Sequence, residues 1–189
     1  MVKYKKGKKI ILIVGMPGSG KTYAANIIKK EFGAKVINSG DIIREEIERR
    51  GLKYSPMADA AVAHWFHQYG REAILVQKVY EKIMRSRKKL IIVEGFRNID
   101  QLQILEDLLD HKVSVIAIKC HFRLRWKREL ERGRFGKEET KEYIRNRDIS
   151  EKHRGIQGII GKARYEIHNN GNEKQFMITV IRTVKKLLK

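Results

Sequence analysis

Gly15-Met16-Pro17-Gly18-Ser19-Gly20-Lys21-Thr22 decides how the rest of the chain is read. The stretch fits G-x-x-x-x-G-K-[ST], the pattern of a phosphate-binding loop. An apolar run, Ile10 to Val14, precedes it and reads as a buried strand, and a helical pattern follows from Lys21 to Phe32. Strand, glycine loop and helix are the order this chemistry needs. Glycines let backbone N–H groups converge on phosphate oxygens, and the helix N-terminus adds positive potential. Lys21 supplies a point charge for β and γ phosphates, and Thr22 offers a hydroxyl to Mg²⁺. The expected nucleotide site is therefore Gly15, Met16, Pro17, Gly18, Ser19, Gly20, Lys21 and Thr22.

Outward from this loop, the whole chain of 189 residues reads as one domain, with 42% hydrophobic and 34% charged residues. The net charge is +20 and the pI near 10.1. Such a balance favours anionic partners, whether nucleotide, RNA, DNA or an acidic surface. Cys120 is the one cysteine, so no intramolecular disulfide can form, and a core thiol is expected. The Lys-rich start is followed by an apolar run too short for a signal peptide, and no segment approaches a membrane span. The reading is a cytoplasmic protein without a membrane partner.

Further apolar runs predict strands at 35–38, 90–93, 113–120 and 165–168. Helical spacing predicts helices at 21–32, 41–50, 59–69, 71–87, 100–110, 124–132, 137–149 and 173–188. Gly40 or Asp41 is the expected cap of the second helix, and Ser55-Pro56 is read as a turn. Alternating strands and helices imply a three-layer α/β/α arrangement around a five-stranded parallel sheet. Ligands of such sheets sit beyond the carboxyl ends of the strands. Three segments fall there: 15–22, 38–41 and 94–97. One composite site is expected.

At the end of the 90–93 strand, Glu94 could hold Mg²⁺ through water beside Thr22. Asp41 and Arg44 are three residues apart, so they share a helix face. Arg44 could clamp an acceptor phosphate while Asp41 orients the attacking group; equally, Asp41 could be a cap paired with Arg44. From Phe122 to Arg164 the chain holds fourteen Lys or Arg and seven Asp or Glu. Arg125, Arg128, Arg132 and Arg134 recur at helix spacing. Arginines on a lid at about 123–155, hinged at Gly133 and Gly136, could stabilise moving phosphoryl charge and exclude water. Arg128 and Arg132 are the candidates for catalysis; a solvated basic helix is the alternative. His64 and His67 have no Cys/His companions and read as core or groove lining rather than metal ligands.

These motifs resemble the adenylate-kinase-like group of P-loop kinases over nearly the whole chain. Gly40-Asp41-Ile42-Ile43-Arg44 is similar to the GD-x-x-R element of nucleoside monophosphate kinases, which implies that Arg44 holds the acceptor phosphate. Glu94-Gly95-Phe96-Arg97-Asn98-Ile99-Asp100-Gln101 resembles their DGFPR-x-x-x-Q element, with Glu in place of Asp and no proline before Arg97. The match implies acceptor-phosphate contact by Arg97 and acceptor-base contact by Gln101. Leu130-Glu131-Arg132-Gly133-Arg134 resembles the lid arm that meets the donor phosphates. Ala163 to Gly171 is similar to the A-D-Y-x-I-x-N-x-G stretch of dephospho-coenzyme A kinases. Val36 to Asp41 is similar to their V-I-D-A-D segment, whose last Asp acts as base. Both likenesses fit a largely archaeal family of nucleotide-kinase-like proteins, which implies ATP binding rather than a particular acceptor.

The expected activity is Mg²⁺-dependent transfer of the γ-phosphoryl of ATP to a nucleoside monophosphate or similar phosphorylated acceptor. A ribose hydroxyl acceptor would need a base, and Asp41 is the candidate. An ATP-dependent nucleic-acid-binding protein is the alternative from another class, motivated by the charge. No N-K-x-D for guanine selection and no acidic pair at the end of the 90–93 strand is present, which disfavours a GTPase switch or a motor.

Overall fold

The computed structural model describes residues 7–68, 70–133 and 140–189. Five strands form one sheet: β1 (Lys9–Val14), β2 (Lys35–Asn38), β3 (Leu90–Glu94), β4 (Ser114–Lys119) and β5 (Tyr165–His168). Every pairing is parallel and the order is β2-β3-β1-β4-β5. The central strands are apolar throughout because both faces are covered. In β1, Ile10, Leu12 and Val14 enter one core cluster, and Ile11 and Ile13 enter the other.

The first cluster receives side chains from α2 (Ser39–Arg49), α3 (Pro56–Phe66), α4 (Glu72–Arg85), α5 (Ile99–Leu109) and the short α8 (Ile156–Gly161). The second receives α1 (Lys21–Phe32) and α9 (Glu173–Leu188). The three-layer α/β/α architecture expected from the alternation is the fold observed. Two further helices, α6 (Phe122–Arg132) and α7 (Lys141–His153), lie in the segment read as a lid. Arg134, Gly136 and the first residues of the predicted 137–149 helix lie outside the described residues, as does Tyr69.

Helix starts differ from the sequence reading, each for a local reason. α2 is capped by Asn38, whose Oδ1 accepts from Gly40 N at 2.7 Å, so Gly40 and Asp41 sit inside the first turn. An N-cap side chain that satisfies an orphan N–H sets the boundary two residues earlier. Ser55-Pro56 is a helix start: Ser55 Oγ accepts from Ala58 N at 3.1 Å, and Pro56 takes a first-turn place where no N–H is needed. α8 went unread because its six residues carry two glycines and too few turns to show a period.

Candidate functional site

The phosphate loop joins β1 to α1 above the carboxyl edge of the sheet. α1 begins after Gly20, which has φ +98° and no side-chain cap, so the first N–H groups of this helix are left for a ligand. The loop is held from two sides. Gly18, at φ +72°, passes so close to α6 that a Cβ would lie 2.6 Å from Arg125 O. Asn169, buried just after β5, donates Nδ2 to Ser19 O at 2.8 Å.

Arg125 accounts for the approach of α6. Its Nη1 donates to Pro17 O at 2.9 Å, and its guanidinium spans both carboxylate oxygens of Asp148 on α7, at 2.9 and 2.6 Å. Arg125 is buried and committed. It belongs to the scaffold of the loop rather than to a mobile set of lid arginines. A two-point charged contact of this kind fixes orientation as well as distance.

Lys21 Nζ lies over the loop and donates to Gly15 O at 2.8 Å and Met16 O at 3.0 Å. Burial, followed by the Arg97 charge, lowers its pKa to about 7. Behind it, Thr22 Oγ1 donates to Glu94, 3.3 and 3.1 Å from the two carboxylate oxygens, and Asn38 Nδ2 donates to Glu94 Oε1 at 2.9 Å. Glu94 is buried, which pushes its pKa up, while Lys21 pulls in the other direction. Among the described residues no group of three or more His, Cys, Asp or Glu could cage a metal ion. The pair Thr22–Glu94 fits Mg²⁺, which keeps several waters and is typically bound by one or two protein oxygens plus substrate phosphates.

The second half of the site is a cavity of about 530 Å³ that opens from the loop. Pro17, Gly18, Gly20, Lys21 and Thr22 line it from the donor side, with Glu94. Arg44 and Arg97 line it as expected, and so do Arg128 and Arg132. The structure therefore brings these predicted residues to one space. Arg128 Nη1 reaches Asn169 O and Cys120 Sγ, both at 3.2 Å, and Arg132 is half exposed with Glu129 at 3.7 Å. Gly15, Met16 and Ser19 shape the loop without lining the cavity.

Two predicted residues are placed elsewhere. Gln101 is fully buried at the start of α5: its Oε1 accepts from Arg97 N at 2.7 Å, and its Nε2 faces His67 Nδ1 at 3.4 Å. Its amide is spent on aligning the Arg97 backbone and does not reach the cavity. Asp41 is exposed, pairs with Arg44, and borders a shallow depression beside β2 instead. Neither a cap nor a cavity-lining base is what this form shows. His67 is held near a pKa of about 4 by burial and by Arg154 and Arg97, and His64 is exposed.

The residues that sequence reasoning leaves out lie on α7 and at its C-cap. Arg147, Ser150, Glu151 and Arg154 all line the cavity. Their spacing, three, four and seven residues on from Arg147, is that of one helix face and could have been noticed. Glu151 is buried and faces Arg97 Nε at 3.1 Å and Arg154 Nη1 at 3.5 Å; Arg147 bonds Glu129 at 2.8 Å. Burial opposes the charge on Glu151, but the arginines and Lys21 outweigh it and its pKa falls.

This fold with this loop defines a class. The sequence pattern of the AAA domain matches residues 14–145, and the architecture is that of nucleotide-binding P-loop kinases. TT1252 of Thermus thermophilus superposes with a TM-score of 0.65 at 16% identity, covering 97% of this chain and 100% of that one. Shikimate kinase of Acinetobacter baumannii, in complex with shikimate, superposes with a TM-score of 0.62 at 17% identity, covering 96% and 93%. Within that class the chain belongs to the UPF0200 family. It is 34% identical over 182 residues to a UPF0200 protein of Methanosarcina barkeri, covering 96% of this chain and 97% of the relative. With a UPF0200 protein of Hyperthermus butylicus it shares 31% over 178 residues, 94% of each. Among the described residues no helix is long and apolar enough to cross a membrane.

Proposed function

We propose that this protein transfers the γ-phosphoryl group of ATP, with Mg²⁺, to a small acceptor that already carries a phosphate, a nucleoside monophosphate being the leading class. The observation that carries the reading is the second cationic group in the cavity, Arg44, Arg97 and Arg154, beyond the donor group of Lys21 and the loop. A triphosphate alone would not need it. Phosphoryl transfer asks the protein for alignment and charge stabilisation rather than covalent chemistry. In this reading the loop amides and Lys21 hold the donor phosphates, while Arg44 and Arg97 hold the acceptor phosphate in line. Arg128 and Arg132 meet the charge that moves between them. Bound Mg²⁺ would neutralise phosphate charge next to Thr22 and Glu94.

A ribose-hydroxyl acceptor would require a general base within reach of the acceptor. Asp41 pairs with Arg44 and does not itself line the cavity, which favours the phosphate acceptor. The decisive experiment incubates pure protein with γ-labelled ATP, Mg²⁺ and a panel holding the common nucleoside monophosphates and dephospho-coenzyme A. Label on a nucleoside monophosphate supports the proposal. Label on dephospho-coenzyme A alone replaces it with hydroxyl transfer, and no labelled acceptor with intact ATP binding rejects transfer.

A further inference from the structure

The nucleotide site occupies the edge of the sheet where the strands end. The opposite edge, where they begin, gathers the ends of three helices. Lys9 Nζ, at the start of β1, donates to Leu187 O at the end of α9 at 2.8 Å. Lys8 Nζ donates to Ile83 O at 2.6 Å and Met84 O at 3.1 Å in the last turn of α4. Lys88 Nζ, after α4, stands 4.0 Å from where a Cβ on Gly33 would be, between α1 and β2.

Exposed cations crowd this pole. The last turn of α1 and the start of β2 present Lys29, Lys30 and Lys35. Arg87, Lys88 and Lys89 follow α4, and Lys185 and Lys186 close α9. The segments 29–35, 87–89 and 185–186 contain one carboxylate, Glu31, against these eight cations. None of the eight has an ion-pair partner among the described residues. In the cavity, by contrast, Arg44, Arg97, Arg147 and Arg154 each have a carboxylate partner, while Lys21 and Arg128 bond uncharged acceptors. Part of the excess charge of the molecule is therefore uncompensated at the pole away from the site. Complementing helix C-termini does not account for Arg87, Lys88 and Lys89, which follow α4, because Lys8 already bonds the terminal carbonyls of that helix.

The chemistry of the pole also selects among polyanions. None of the large apolar side chains exposed among the described residues lies in these three segments. A surface that enters a bilayer needs such side chains, and one that reads single strands needs aromatic platforms. Unpaired lysines without either suit a regular phosphate lattice, where each neutralised phosphate releases a counterion. We infer that this pole binds the phosphodiester backbone of a nucleic-acid duplex, without base readout, while the opposite edge of the sheet handles nucleotide.

The test is fluorescence anisotropy with mixed-sequence DNA and RNA duplexes of about 20 base pairs, at rising salt. Single strands and phosphatidylserine vesicles are the comparison arms. Wild-type protein is set against the combined variant Lys88→Gln, Lys89→Gln, Lys185→Gln and Lys186→Gln, with ATP binding as the control. The expected result is duplex binding that weakens at least about ten-fold in the variant. The slope of log K against log salt should become shallower by about 0.9 for each phosphate that the variant no longer neutralises. The two duplexes distinguish DNA from RNA as the source of the backbone. Absence of duplex binding at low salt, tighter binding of single strands, binding of vesicles alone, or unchanged affinity in the variant each overturns the inference. Should the variant fail to fold, protection of the same four lysines from acetylation in wild-type protein bound to duplex decides the question, and unprotected lysines reject it. ATP binding and phosphoryl transfer are read separately, so failure here leaves the proposed activity standing.

Discussion

Asn169 and Ser19, far apart in the chain, are joined by a 2.8 Å hydrogen bond from the Asn169 amide to the Ser19 carbonyl. The residue after the last strand thereby props the phosphate loop, and its own carbonyl receives Arg128 at 3.2 Å. Replacing it by alanine leaves Ser19 O buried without this donor. Asn169→Ala should lose about 1–3 kcal/mol of stability and weaken ATP binding, while Asn169→Asp should not restore either. Thermal unfolding with and without ATP checks both.

Lys21 should report nucleotide binding through its proton. Its pKa of about 7 in the free protein reflects burial and the Arg97 charge. A bound triphosphate favours the ammonium form and raises that value. Above about pH 7 the free protein is short of a proton that the complex holds, so binding takes one up and affinity falls as pH rises through that window. Calorimetry at about pH 8 in buffers of different ionisation enthalpy should show proton uptake. Lys21→Ala should abolish both uptake and phosphoryl transfer with the fold intact; buffer-independent heats would contradict the assignment.

Glu151 is the common counter-ion of Arg97 and Arg154, and it is buried. Removing one member of a buried ion network leaves uncompensated charge and typically costs several kcal/mol. Glu151→Gln should lower stability by about 3 kcal/mol. Because the stabilised group is a carboxylate with a lowered pKa, its contribution is present at neutral pH and is lost as pH falls through the folded-state value. Chemical denaturation of both proteins at neutral and acid pH should show the difference narrowing in acid.

Arg44 and Asp41 separate the two acceptor chemistries. Arg44→Ala should raise the acceptor KM at least about ten-fold, with ATP binding unchanged, because it removes a charged hydrogen bond to a phosphate. Asp41→Asn should change turnover by less than about three-fold, since its partner is Arg44 rather than the acceptor. A loss of turnover of about a hundred-fold or more in Asp41→Asn would make Asp41 a base and the acceptor a hydroxyl.

Much of this was legible in residue order. The buried parallel strands appear as apolar runs because both their faces are covered, as Ile10 to Val14 shows by dividing between two cores. α1 and α9 match their predicted limits because period and composition change together at both ends. Arg44, Arg97, Thr22 and Glu94 line one cavity because they come after strands, and a parallel sheet brings all such positions to one edge. The helix starts at Asn38 and Ser55 were missed, since Asn and Ser serve turns and caps alike.

Arg125, Arg128 and Arg132 looked alike on one basic helix, yet one is a buried strut, one bonds the β5 exit, and one is half exposed. Nothing local separates them. The places of Arg125 and Arg128 depend on Asp148 and Asn169, which reach them only after α7 and β5 have docked, whereas Arg132 faces Glu129 of its own helix. Gln101, which its motif likens to a base-contacting residue, has its amide committed between Arg97 and His67.

Residue order by itself determined the elements of this protein, their parallel alternation and the glycine loop between β1 and α1, because propensity, periodicity and turn chemistry act over a few residues. Tertiary structure alone decided which charges are compensated across the chain, as Arg97 is by Glu151 and Arg147 by Glu129. Such pairs form between residues brought together by packing, whereas Asp41 with Arg44 follows from helical spacing. Glu151 therefore lies buried between arginines at the site, and the lysines at the far pole stay bare.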